Sequence, residues 1–128
     1  MVTAATPTQV TTMGRNGLAD WVIQRVSAII LGAYTIFLVV YLLLNPNLQY
    51  AQWQELFSQM WMRIFSMLAL VSVAAHAWIG LWSVVTDYIT ERLIGPKALV
   101  LRLLALGTYA LVTVCYLVWG IEILWGFK

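Results

Sequence analysis

Charge is missing from three long stretches of this chain, and that constrains its fold more than any other feature. No Asp, Glu, Lys or Arg lies between Arg25 and Glu55, between Arg63 and Asp87, or between Arg102 and Glu122. A helix needs about 20 mostly apolar residues to cross the hydrocarbon layer of a bilayer. The spacing therefore predicts three membrane-spanning helices, near residues 21–44, 62–86 and 100–125. Inside lipid every backbone N–H and C=O must find a partner within the protein. Three strands cannot close into a barrel, and the runs are too long for barrel strands and lack period-two alternation. The expected class is an all-α membrane protein.

Composition excludes the water-soluble alternative. Hydrophobic residues make up 62% of the 128 positions and charged residues 9%, against roughly 45–50% and about 25% in soluble domains. The net charge of +2 gives no reason to expect nucleic acid as a partner. Residues 1–20 are small and polar and lack the pattern of a secretory signal peptide, so they read as an arm outside the bilayer. Asp20 reads as the N-cap of the first helix. Residues 21–128 then form the three-helix membrane region. Asn45-Pro46 ends the first span. Residues 53–60 suggest a short interfacial helix, and Gly95-Pro96 marks a turn in the second connection.

Orientation follows from basic residues near the span ends. Arg15, Arg25, Arg92, Lys97 and Arg102 fall on one side, Arg63 and Lys128 on the other. The excess favours a cytoplasmic N-terminus and a periplasmic C-terminus in a bacterial inner membrane. Cys115 is the only cysteine, so no internal disulfide forms, and it reads as a small buried apolar residue.

His76, the only histidine, is the candidate functional residue. It lies 76 − 63 = 13 residues from Arg63 and 87 − 76 = 11 from Asp87, close to mid-bilayer at 1.5 Å per residue. Helical spacing puts it on a stripe of small and polar residues: Ala69, Ser72, Val73, His76, Ala77, Gly80, Ser83 and Asp87. Such a stripe admits the close approach of another helix or a flat cofactor. Three readings are open: a haem ligand with Gly80 leaving room for the macrocycle, a proton relay, and a histidine bonded to a neighbouring helix. The stripe alone favours the last. A two-histidine haem would need its second histidine from another chain. Taken alone, Tyr88 reads as an interfacial belt residue, Asp87 as a solvated helix end and Arg25 as a snorkelling cation.

Four stretches carry a family resemblance: GRNG at Gly14–Gly17, RVSAI at Arg25–Ile29, HAWIGLWSVVTDY at His76–Tyr88, and the closing YLVWGIEILWG. With them the chain resembles, over nearly its whole length, the smaller of the two hydrophobic membrane anchors of bacterial succinate dehydrogenase, respiratory complex II. The likeness is greatest to enterobacterial-type members, from which the connection TERLIGPKALVLRL departs by a few extra residues. The resemblance implies a non-catalytic anchor in an oxidoreductase complex with a flavoprotein, an iron–sulfur protein and a second three-helix anchor. It implies a heteromeric helix bundle holding haem b between the two anchors, with ubiquinone as substrate. By that resemblance His76 ligates the haem iron and the second anchor supplies the other ligand. Tyr88 bonds a ubiquinone carbonyl, Asp87 lines the same pocket, and Arg25 approaches the haem propionates. Other expectations are a fumarate reductase anchor using menaquinone, a small transporter with a relay histidine, and a structural membrane adaptor.

Overall fold

The computed structural model describes residues 17–126; the N-terminal arm with Arg15 and most of GRNG lies outside them, as does Lys128. Every regular element among them is helical: α1 (Gly17–Leu44), α2 (Tyr50–Ser58), α3 (Met60–Tyr88), α4 (Glu91–Ile94) and α5 (Ala98–Trp125). Three of these, α1, α3 and α5, are long and apolar enough to cross a membrane.

The chain breaks where local chemistry requires. Pro46 drives Asn45 out of helical geometry, and the Asn45 side-chain amide donates to the Tyr41 carbonyl freed at the end of α1 (2.8 Å). α2 begins at Tyr50, earlier than the sequence suggests, because the Gln52 side chain accepts the Gln49 N–H (3.0 Å) and nucleates the turn. Extended Gln59 both ends α2 and opens α3. Gly95, with φ of +85°, turns the chain between α4 and α5, a conformation that L residues with a Cβ rarely adopt. Asp20 sits within the first turn of α1 and is not its N-cap, since Gly17 and Leu18 already continue the helix. The helix dipole still favours a carboxylate there.

α3 is the central helix, packed against α1 and, less extensively, against α5. The α1–α3 pair is antiparallel, with contacts at nearly constant summed residue number. The Tyr34 hydroxyl meets the Ser66 hydroxyl at 2.8 Å, the Tyr34 and Phe65 rings meet edge-on at 5.0 Å, and Phe37 meets Trp61 at 5.6 Å. On the other side Tyr109 donates to the Ala74 carbonyl, Tyr116 to the Leu70 carbonyl (3.3 Å), and the Tyr109 ring lies 5.6 Å from Trp78. At Gly120 of α5 an added Cβ would stand 2.6 Å from Leu70 Cδ1 of α3. Small residues at helix contacts allow such approach in a membrane.

The buried core is thin: Met62, Ala69, Ile79, Val85, Ala98 and Leu124 are the only buried hydrophobic residues among those described. Large apolar side chains point outward along the spans, Ile29, Ile36, Leu111 and Ile123 among them. That surface is at rest in lipid or against other helices and would be untenable in water. Cys115 belongs to this outer surface; it is exposed and not buried as its residue type suggests.

Candidate functional site

His76 falls on the α1-facing side of α3. The buried line of α3 runs through Met62, Ser66, Ala69, Ser72 and Ile79, with half-buried His76 between the last two. It overlaps the small-residue stripe but is rotated from it. Val73, Ala77 and Ser83 are exposed, because α1 covers only one flank and leaves the other open. At Gly80, one turn beyond His76, nothing lies within 4 Å of where a Cβ would stand.

Both ring nitrogens of His76 meet α1. Ser27 Oγ lies 3.1 Å from Nδ1, and the Gln24 side-chain nitrogen lies 3.3 Å from Nε2. Ser27 and Gln24 are three residues apart, about one helical turn, so they share the α3-facing side of α1. The proton positions follow from capacity. Ser27 Oγ donates its single hydrogen to the Gln24 backbone carbonyl (3.1 Å), so toward His76 it can only accept. With the Ser27 hydrogen on the Gln24 carbonyl and an amide hydrogen of Gln24 on Nε2, the assignment consistent with all three contacts puts the ring proton on Nδ1 and a lone pair on Nε2. This is the tautomer an Nε2 metal ligand requires, with the other ring N–H given to an outer acceptor.

The Gln24 carboxamide is held less well. Its contact to Nε2 is long for a hydrogen bond, and its Oε1 is buried without a partner among the described residues. An orphaned buried acceptor is unfavourable by about 1–3 kcal/mol, so this side chain is the part of the site most readily displaced. A neutral imidazole with a fixed lone pair, an easily displaced cap and open space at Gly80 fits an axial haem ligand. Among the described residues no cluster of His, Cys, Asp and Glu could hold a bare metal ion.

The remaining candidates lie apart from His76. Arg25 is exposed on α1, and its guanidinium reaches back over the Trp21 ring at 5.6 Å. Asp87 and Tyr88 occupy the last turn of α3, both exposed. Tyr88 is 67% exposed, and 88 − 76 = 12 residues of helix put it about 18 Å along the axis from His76. Just beyond, Arg102 Nε donates to the Ile89 carbonyl and ties the end of α3 to α5. The structure thus joins His76 to α1 and leaves Asp87 and Tyr88 as an open edge where the second connection begins. Trp78 and Trp82 pack beside each other at 6.1 Å, toward α5. Gln24 and Ser27 are the site residues that inspection of the sequence missed. Their signal was present: two polar residues one turn apart in an apolar span, with Ser27 inside RVSAI.

Comparison with known proteins bears on this arrangement. The family described as succinate dehydrogenase/fumarate reductase transmembrane subunit matches residues 6–119. A similar relative is the succinate dehydrogenase hydrophobic membrane anchor subunit of Coxiella burnetii (strain RSA 493 / Nine Mile phase I), 40% identical over 111 residues, covering 87% of this chain and 90% of that protein. Three apolar helices, a polar midpoint at His76 and similarity along nearly the whole chain place it in one group: the chain belongs to the succinate dehydrogenase/fumarate reductase family of membrane anchor subunits.

Proposed function

We propose that this chain is the smaller membrane anchor of a bacterial succinate:ubiquinone oxidoreductase, akin to the enterobacterial type. In this reading His76 would be one of two side chains, the other from the second anchor, that hold a haem b between the two chains. The observation that carries it is the set of contacts His76 makes: Nδ1 meets Ser27 Oγ, whose own hydrogen can go to the Gln24 carbonyl, and Nε2 meets a weakly held amide. A relay histidine would need polar partners leading onward, whereas His76 bonds to Gln24 and Ser27, both on α1. The family name covers fumarate reductases as well. The named relative is a succinate dehydrogenase anchor, which favours the succinate direction over a menaquinone-linked fumarate reductase.

Each residue then has a task. His76 holds the haem, which when bound accepts and returns single electrons. Exposed Arg25, two residues from Ser27 on α1, pairs with the propionates as a charge-assisted hydrogen-bond donor. Tyr88 presents a neutral phenol to a ubiquinone carbonyl at the membrane boundary. Asp87, its neighbour, brings protons to the reduced quinone, which takes up two electrons and two protons. Electrons come from succinate through the flavoprotein and the iron–sulfur protein docked at that edge. The basic residues Arg25, Arg92, Lys97 and Arg102 support a cytoplasmic placement of this end, with the C-terminus in the periplasm of a bacterial inner membrane.

Purification of the tagged chain from membranes in mild detergent tests the reading. A second three-span anchor with a histidine in its middle span, an iron–sulfur protein and a flavoprotein should co-purify, with a dithionite-reducible b-type spectrum. Recovery without haem and without those partners would refute it.

A further inference from the structure

We propose that Ser27 is a positioning residue for His76. It selects the ring tautomer and sets the electron density on Nε2. The inference rests on the reading of His76 as a haem ligand and adds to it a device within this chain alone. Three groups stand in series: the Gln24 carbonyl accepts from Ser27 Oγ at 3.1 Å, and Ser27 Oγ lies 3.1 Å from His76 Nδ1, placed to take the ring N–H. Ser27 is only 4% exposed, so no water competes for its hydroxyl. The backbone of α1 fixes the carbonyl in place as an acceptor for the hydroxyl hydrogen, and with that hydrogen there the Ser27 oxygen faces Nδ1 as an acceptor and the ring lone pair lies on Nε2.

The consequence is a division of labour between two residues one turn apart. Ser27 holds Nδ1 permanently. The Gln24 amide covers Nε2 and can turn away, since its Oε1 has no partner among the described residues to hold it. A hydrogen bond from Nδ1–H to an acceptor makes an imidazole a stronger donor through Nε2. Stronger donation stabilises ferric over ferrous iron and lowers the potential of the haem. Removing the acceptor should therefore raise that potential. Loss of such an outer partner typically weakens ligation by about 10–100-fold. If the loss falls mainly on the ferric form, a tenfold change corresponds to about 59 mV for one electron.

The test uses the intact, haem-loaded complex carrying Ser27→Ala, Ser27→Thr or His76→Leu. The readouts are haem content per flavin, the midpoint potential by redox titration, and the ferric signal in electron paramagnetic resonance. Ser27→Ala should retain haem with a higher potential and an altered ferric signal. Ser27→Thr, which keeps the hydroxyl, should return both toward the wild type. If Ser27→Ala leaves potential and signal unchanged, Ser27 does not position the ligand. If it loses haem and Ser27→Thr does not restore it, the residue is merely structural, and the proposal is overturned. An unchanged haem spectrum in His76→Leu would instead sink the underlying ligand reading, so the two failures are distinguishable.

Discussion

Replacing Tyr88 with phenylalanine separates a quinone contact from a structural role. The side chain is 67% exposed on the last turn of α3, and its hydroxyl makes no hydrogen bond among the described residues. Tyr88→Phe therefore removes one oxygen from a surface without breaking an internal contact, and stability should stay within about 0.5 kcal/mol of the wild type. A neutral hydrogen bond contributes about 0.5–1.5 kcal/mol net. At about 1.36 kcal/mol per factor of ten, that is roughly a 2- to 13-fold loss. The loss should fall on kcat/KM for ubiquinone. A bond made equally to bound quinone and transition state raises KM when lost, and one that strengthens as charge develops on the carbonyl lowers kcat when lost. Two assays on one preparation decide the matter: succinate oxidation with a soluble quinone, and with an artificial dye that bypasses the anchor. The quinone rate should fall while the dye rate and the melting temperature hold. Equal loss in both assays, or no loss in either, would refute the role given to the phenol.

Two further predictions concern the packing that holds α3 in place. At Gly120 an added Cβ stands 2.6 Å from Leu70 Cδ1, the far end of a flexible side chain, so Gly120→Ala should force Leu70 to turn aside and destabilise the α3–α5 contact by no more than about 1 kcal/mol, the low end for overpacking; a double-mutant cycle with Leu70→Ala on thermal stability in detergent should show the two positions coupled. Tyr34→Phe and Ser66→Ala each break the 2.8 Å bond between α1 and α3, and their cycle should give a coupling of about 0.6 kcal/mol, the average for such bonds inside membranes; zero coupling would mean the hydroxyls do not meet.

Much of the fold was legible because lipid imposes a simple demand. Long charge-free runs must be helices, and Pro46 and Gly95 punctuate them in a chemically readable way. The ends were less legible. The helix α3 reaches Tyr88 because nothing in Asp87-Tyr88 breaks a helix, so it runs two residues past the charge-free stretch. Cys115 shows the same limit: its type suggests burial, yet in a membrane an outward face needs no polar residue. At the site, His76 stood out through its chemistry and position. Its partners did not, because the pairing of residue 76 with 24 and 27 depends on the register of α1 against α3, and that register is set by contacts such as Tyr34 with Ser66. The rotation of the buried line away from the small-residue stripe has the same origin.

The haem reading of this chain, and the role given to Ser27, depend on His76 being half of a two-histidine site completed by another chain. The ferric haem spectrum of the intact complex, wild type against His76→Leu, tests that directly when recorded by electron paramagnetic resonance at low temperature. The wild type should give a six-coordinate low-spin signal that is lost in the variant, leaving high-spin haem or none. A low-spin signal of unchanged form and amplitude in His76→Leu would contradict the assignment.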